Sequence, residues 1–163
     1  MNQQFLTSAI TRLLDYKKLA DETFKKLDDA AFNFSPNEES NSIAVIIQHV
    51  SGNMISRWTN FLTTDGEKEW RKRDEEFEPA TLSKIELIQL WENGWQCCIT
   101  ALQALSATDM LKTITIRQQP LLVFDAINRQ LAHYPYHVGQ IVYIAKMLLN
   151  QQWQTLSIAR NKK

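Results

Sequence analysis

The stretch at residues 121–150 leaves this chain few ways to fold. Ile127, Leu131, Tyr134, Val138, Ile141, Ala145 and Leu148 recur there at steps of three and four, the repeat of a long helix with one buried face. A seam of that length has to be covered by other helices. Three further stripes in the chain can supply them.

The first stripe lies at residues 3–29 and carries Leu6, Leu13, Tyr16, Ala20, Phe24 and Leu27. Asp28 and Asp29 suit its end poorly, because acids oppose the helix dipole at a C-terminus. Residues 32–39 read as a connection, broken by Pro36. Ser40 or Ser42 can cap the second helix, whose buried side is Ile43, Ile47, Val50, Met54, Trp58 and Phe61. Thr81 can cap the third, with Ile88, Trp91, Trp95, Cys98, Leu102 and Leu105 as its seam. Only four glycines and four prolines punctuate 163 residues, which suits long helices with few turns. The expectation is an all-α four-helix bundle in one domain, residues 1–163.

Two segments break the helical pattern. Residues 63–80 are highly charged, with Trp70 and Phe77 as isolated apolar positions. We read them as a solvated crossover between helices two and three, pinned by Trp70; the sharper alternative is a lid in which Arg71 or Arg73 meets an anion. Residues 112–117 alternate like a strand, but nothing else in the chain offers a sheet. An extended lead into the last helix is expected there, with Pro120 near its first turn. In the tail, Trp153 and Leu156 are placed to fold back on the bundle, and the last few residues are expected to fray.

Composition excludes several function classes. Eighteen basic residues balance eighteen acidic ones, so no general attraction to nucleic acid or anionic membrane is built in. The first residues lack the charged and apolar regions of a signal peptide, and no run approaches a membrane span. Cys97 and Cys98 are adjacent and make no disulfide framework, which points to the cytoplasm.

Chemistry concentrates on the three histidines. His133 and His137 are four residues apart, one above the other on the long helix, in a row with Gln130, Gln140 and Ile144. Pro135 lies between them and predicts a kink. His49 stands at the edge of the second stripe. Hydrogen-bonded histidines at the margin of a core satisfy this pattern, and so does one shared metal ion. Tyr134 follows His133, so the H-E-x-x-H motif of metalloproteases is absent. No E-x-x-H pair or G-x-S-x-G elbow appears either.

His49, with His133-Tyr-Pro-Tyr-His137-Val-Gly-Gln140, resembles the metal-site pattern of the DinB/YfiT-like superfamily. The stretches at 57–67, 73–77 and 127–134 resemble its DUF1572 subfamily. The resemblance implies an up-down-down-up bundle, a divalent metal on His49, His133 and His137, and a homodimer. Zinc or nickel leads the implied metals, with iron or manganese behind. Some relatives use a low-molecular-weight thiol such as bacillithiol or mycothiol, which implies a metal-dependent S-transferase acting on a small molecule. On that reading Arg57, Arg71 or Arg73 holds a carboxylate of the thiol, and Gln140 orients a ligand imidazole or a water on the metal. The alternatives are a metal-dependent hydrolase, for which Asp125 is the nearest carboxylate on the last helix but two turns away, and a non-catalytic metal-binding protein.

Overall fold

The computed structural model describes residues 2–79 and 82–158. Four long helices carry the core: α1 (Asn2–Phe24), α3 (Ile43–Trp58), α4 (Lys84–Gln103) and α5 (Val123–Leu149), with a short α2 (Asp29–Asn33) after α1. α3 packs mainly on α4, α1 on α5, and α3 also meets α5. A Cβ on Gly94 would lie 2.9 Å from the Cα of Ser51, so a glycine is what lets α4 approach α3 this closely. Trp91, Trp95 and Tyr134 are fully buried and run edge to face through the centre, with ring centroids 5.5 and 5.8 Å apart. Each such ring contributes roughly 1.5–3 kcal/mol by burial, plus the edge-to-face term.

Several boundaries differ from the sequence expectation. α1 stops at Phe24, and Asp28 begins α2 by accepting the Ala31 N–H. The aspartates that end a first helix badly are good starters of a second. Phe32, expected in a connection, is buried against Phe24 with ring centroids 5.3 Å apart. Ser42 caps α3. Thr81 lies outside the described residues. Ser83 caps α4 in a reciprocal pair with Glu86, a capping box. α5 continues through Pro135 as one helix. Trp153 packs on the core, and the end of the tail lies outside the described residues.

The extended lead into α5 is in fact a hairpin. β1 (Thr113–Ile116) pairs antiparallel with β2 (Gln119–Leu122), Ile116 opposite Gln119 and Thr113 opposite Leu122. Pro120 therefore sits in an edge strand, and α5 begins only at Val123. Arg117 and Gln118 turn the hairpin with φ of 53° and 62°. Asn-Gly is the usual sequence for such a turn, so Arg-Gln carries no local signal. Asp65, from the crossover, supplies the stabilisation: its two carboxylate oxygens accept the N–H groups of Arg117 and Gln118 at 2.9 and 2.7 Å. The Gly66 N–H adds a bond to the Thr115 carbonyl at 2.8 Å.

The crossover is thus an ordered pad laid on α3 and the hairpin. Trp70 is 58% exposed and does not pin it. Gly66, Arg71, Glu76 and Phe77 do, together with Gln48, whose side-chain amide donates to the Glu76 and Glu78 carbonyls.

Candidate metal centre

α3 delivers His49 and α5 delivers His133 and His137 to one point. The Nε2 atom of His133 lies 3.4 Å from that of His49 and 3.1 Å from that of His137. The donor atoms of all three lie within 4.8 Å of one another. Two imidazoles on one zinc ion, each about 2.0–2.1 Å from it, would stand at comparable separations.

The opposite nitrogen of each ring is held. His49 Nδ1 donates to Glu76 Oε2 at 3.0 Å, His133 Nδ1 to Gln130 Oε1 at 3.1 Å, and His137 Nδ1 to Gln140 Oε1 at 2.8 Å. Each partner atom is an acceptor, so each Nδ1 keeps its proton and each Nε2 is left as a bare lone pair. Three lone pairs facing one another repel unless a cation lies among them. Burial, with the neighbouring histidines and Arg129 and Arg57, pushes His133 down to about 3. Burial also lowers His137, against the opposing bond to Gln140. Neutral imidazole is the form that ligates metal.

The two arms of the site are built differently. Gln130 and Gln140 each lie three residues from their histidine on α5, a spacing set by the helix itself. Glu76 reaches His49 from the crossover, 27 residues away. It enters through a notch at Gly52, where a Cβ would stand 2.2 Å from Glu76 Oε1. Arg71 grips both Glu76 oxygens, Nε at 2.7 Å and Nη2 at 2.8 Å, and its Nη1 donates to Glu67 at 3.1 Å. Burial acts to raise the Glu76 carboxyl, but His49 and Arg71 outweigh it and hold the group below its usual range. Phe77 packs on His49 with ring centroids 4.7 Å apart. Beneath the histidines, the Tyr134 hydroxyl donates to Asn53 at 3.1 Å and accepts from Trp58 Nε1 at 3.0 Å.

The three histidines expected to be ligands therefore converge, and Gln140 Oε1 is the partner of His137 Nδ1. The arginines go elsewhere. Arg71 is engaged by Glu76 and Glu67. Arg57 is buried, 3.8 Å from Glu67, with Nε and Nη1 unpartnered among the described residues. Arg73 lies over the Phe77 ring, 4.9 Å from its centroid, and pairs with Asp74. Asp125 makes no part of the cluster. The residues that sequence reasoning missed are Glu76, Gly52 and Gln130 as a hydrogen-bond partner. Only Gln130 had a signal, its place in the histidine row. Cys98 is fully buried, which raises its thiol well above the ordinary range and makes it inert.

The family model described as "Protein of unknown function (DUF1572)" matches residues 1–162. The chain belongs to this family. Comparison with curated proteins returns no match. Among solved structures, a crystal structure of a histidine-to-alanine mutant of mycothiol-dependent maleylpyruvate isomerase superposes with a TM-score of 0.66 at 17% identity. The match covers 84% of this chain and 59% of that one, so the DUF1572 chain spans about three fifths of that protein's length. The likeness establishes the DinB-like four-helix bundle. No helix among the described residues is long and apolar enough to cross a membrane.

Proposed function

We propose that this DUF1572 protein is a metal-dependent enzyme whose divalent ion is held by His49, His133 and His137. One observation carries the reading: three Nε2 lone pairs converge while every Nδ1 donates to a fixed acceptor. A cluster of core histidines has no need of that arrangement. Three nitrogen ligands suit zinc or nickel first, and iron or manganese less well.

A divalent ion there supplies a Lewis acid that lowers the pKa of a coordinated thiol or water. The protein's own groups do the rest. Glu76, Gln130 and Gln140 keep the Nδ1 protons in place and the Nε2 atoms bare. Tyr134, Asn53 and Trp58 close the floor, and Phe77 covers His49. The reaction class we favour is transfer of a low-molecular-weight thiol to an electrophilic small molecule. The fold neighbour, a mycothiol-dependent isomerase, supports that choice over hydrolysis. Hydrolysis wants a free general base, and the carboxylate nearest the histidines, Glu76, is already bonded to His49 and Arg71. A cytoplasmic homodimer belongs to the same reading.

Elemental analysis of the untagged protein beside His137→Ala tests the metal. About one equivalent of transition metal, lost in the variant, is expected; equal metal in both overturns the site. Conjugation of a thiol to a model electrophile is expected to stop with chelator, and an unchanged rate overturns the transfer reading.

A further inference from the structure

The crossover has two halves that are held in different ways. Residues 65–71 are tied to fixed elements. Asp65 accepts the turn N–H groups of the hairpin, and the Gly66 N–H donates to the Thr115 carbonyl. Ser56 of α3 donates its hydroxyl to the Gly66 carbonyl and accepts the Lys68 N–H, both at 3.1 Å. Residues 72–79 have no such tie. No residue of the 3-10 turn at Asp74–Phe77 is buried. The Lys72 and Arg73 side chains are 72% and 47% exposed and form salt bridges only with Glu75 and Asp74 beside them. The hydrogen bonds that hold this half on α3 come from two adjacent residues. Gln48 donates to the Glu76 and Glu78 carbonyls at 3.2 and 3.0 Å, and His49 donates to the Glu76 carboxylate and carries the Phe77 ring.

One of those two residues is a metal-ligand candidate. Without an ion, the Nε2 lone pair of His49 faces that of His133 at 3.4 Å, and their repulsion favours turning the His49 ring away. Turning it breaks the bond to Glu76 and removes the surface under Phe77. A cation among the three Nε2 atoms fixes the ring and, by drawing charge from it, makes its Nδ1–H a stronger donor. Ion binding and docking of residues 72–79 therefore favour each other, and linkage makes the effect equal in both directions.

We propose that residues 72–79 are a strap that metal occupancy closes. The ion holds the strap down through His49, Glu76 and Phe77; without it, the strap opens from Arg71 onward while residues 65–71 stay on the hairpin. The inference rests on the metal reading above. Partners behind ligating histidines change metal affinity about 10- to 100-fold, so the ion is expected to shift the strap between open and closed by the same factor.

Lys72 and Arg73 make the strap a trypsin substrate. A protease needs several residues in extended form, which the docked turn denies it, so cleavage of the native protein reads the open population. The test is digestion of the full chain, with the cuts after Lys72 and Arg73 followed by mass spectrometry and bound zinc measured on the same samples. Zinc is expected to slow these cuts about 10- to 100-fold and then to reach a plateau, because the open form still holds the ion on α5. Cuts that wait for global unfolding keep slowing as zinc is raised. Gln48→Ala loosens the strap but leaves Glu76 on His49; it is expected to be cut faster in both states with the zinc ratio kept. Glu76→Gln, at saturating zinc, is expected to lose most of the protection. Equal cutting of wild type with and without bound zinc overturns the proposal and leaves the metal reading standing. So does slowing without a plateau, since the protection is then global, or a Glu76→Gln variant protected as fully as wild type. A wild-type protein that takes up no zinc overturns the metal reading and the strap with it.

Discussion

The two arms of the histidine site solve one problem by opposite means. On α5, Gln130 and Gln140 sit three residues from their histidines, so forming the helix is enough to set both bonds. On α3, the partner of His49 comes from the crossover. It needs a glycine notch, an arginine clamp and a second glutamate to stay there. The first arm is as stable as a helix. The second exists only when the crossover is docked. A site built this way couples the placing of its histidines to a segment that carries little apolar anchoring of its own, Trp70 being exposed.

The largest effect that would sharpen this contrast is expected from Arg71→Met. It leaves Glu76 and Glu67 facing each other in a half-buried pocket without their shared cation. The side chain of Arg71 is 3% exposed and that of Glu76 11%, so removing one partner should cost about 3 kcal/mol in urea unfolding. A loss below about 1 kcal/mol, the range of a surface pair, would mean the crossover is not clamped as described.

Next comes a pair of substitutions compared in metal affinity. Glu76→Gln removes the charge behind His49 and should weaken metal binding about 100-fold; Gln140→Leu frees His137 Nδ1 and should cost nearer tenfold. Competition with a chromogenic chelator measures both. If Gln140→Leu is the more damaging, the local arm is the weaker one and the comparison fails.

The smallest effect concerns the hairpin that backs the crossover. Burial acts to raise the Asp65 carboxyl, but the N–H groups of Glu67, Gln118 and Arg117 outweigh it and hold the group below the usual carboxylate range. A depressed carboxyl stabilises the fold above the unfolded pKa, and that contribution is lost as pH falls through the folded value. Asp65→Asn should therefore cost about 1 kcal/mol at pH 7 and progressively less in acid below about pH 4. Urea titrations at the two pH values check it; a constant difference would remove Asp65 from the turn.

The bundle, its seams and the three ligand candidates were legible because each depends on spacing within one helix. The stripe of α5, the four-residue step from His133 to His137 and the place of His49 at the rim of α3 all follow from a period of 3.6. The hairpin was not legible. Its strand partner contains Pro120, and its turn is Arg117 and Gln118, whose left-handed backbone is held by Asp65 from 52 residues away. Nor was Glu76, one acid among several in a charged stretch until the crossover folds it against Gly52. The sequence by itself determined four helices and which histidines face one way. Only the tertiary structure decided which carboxylate stands behind His49 and where the arginines turn. Helical periodicity is a local property, whereas closing a loop onto a distant notch depends on every contact between its ends.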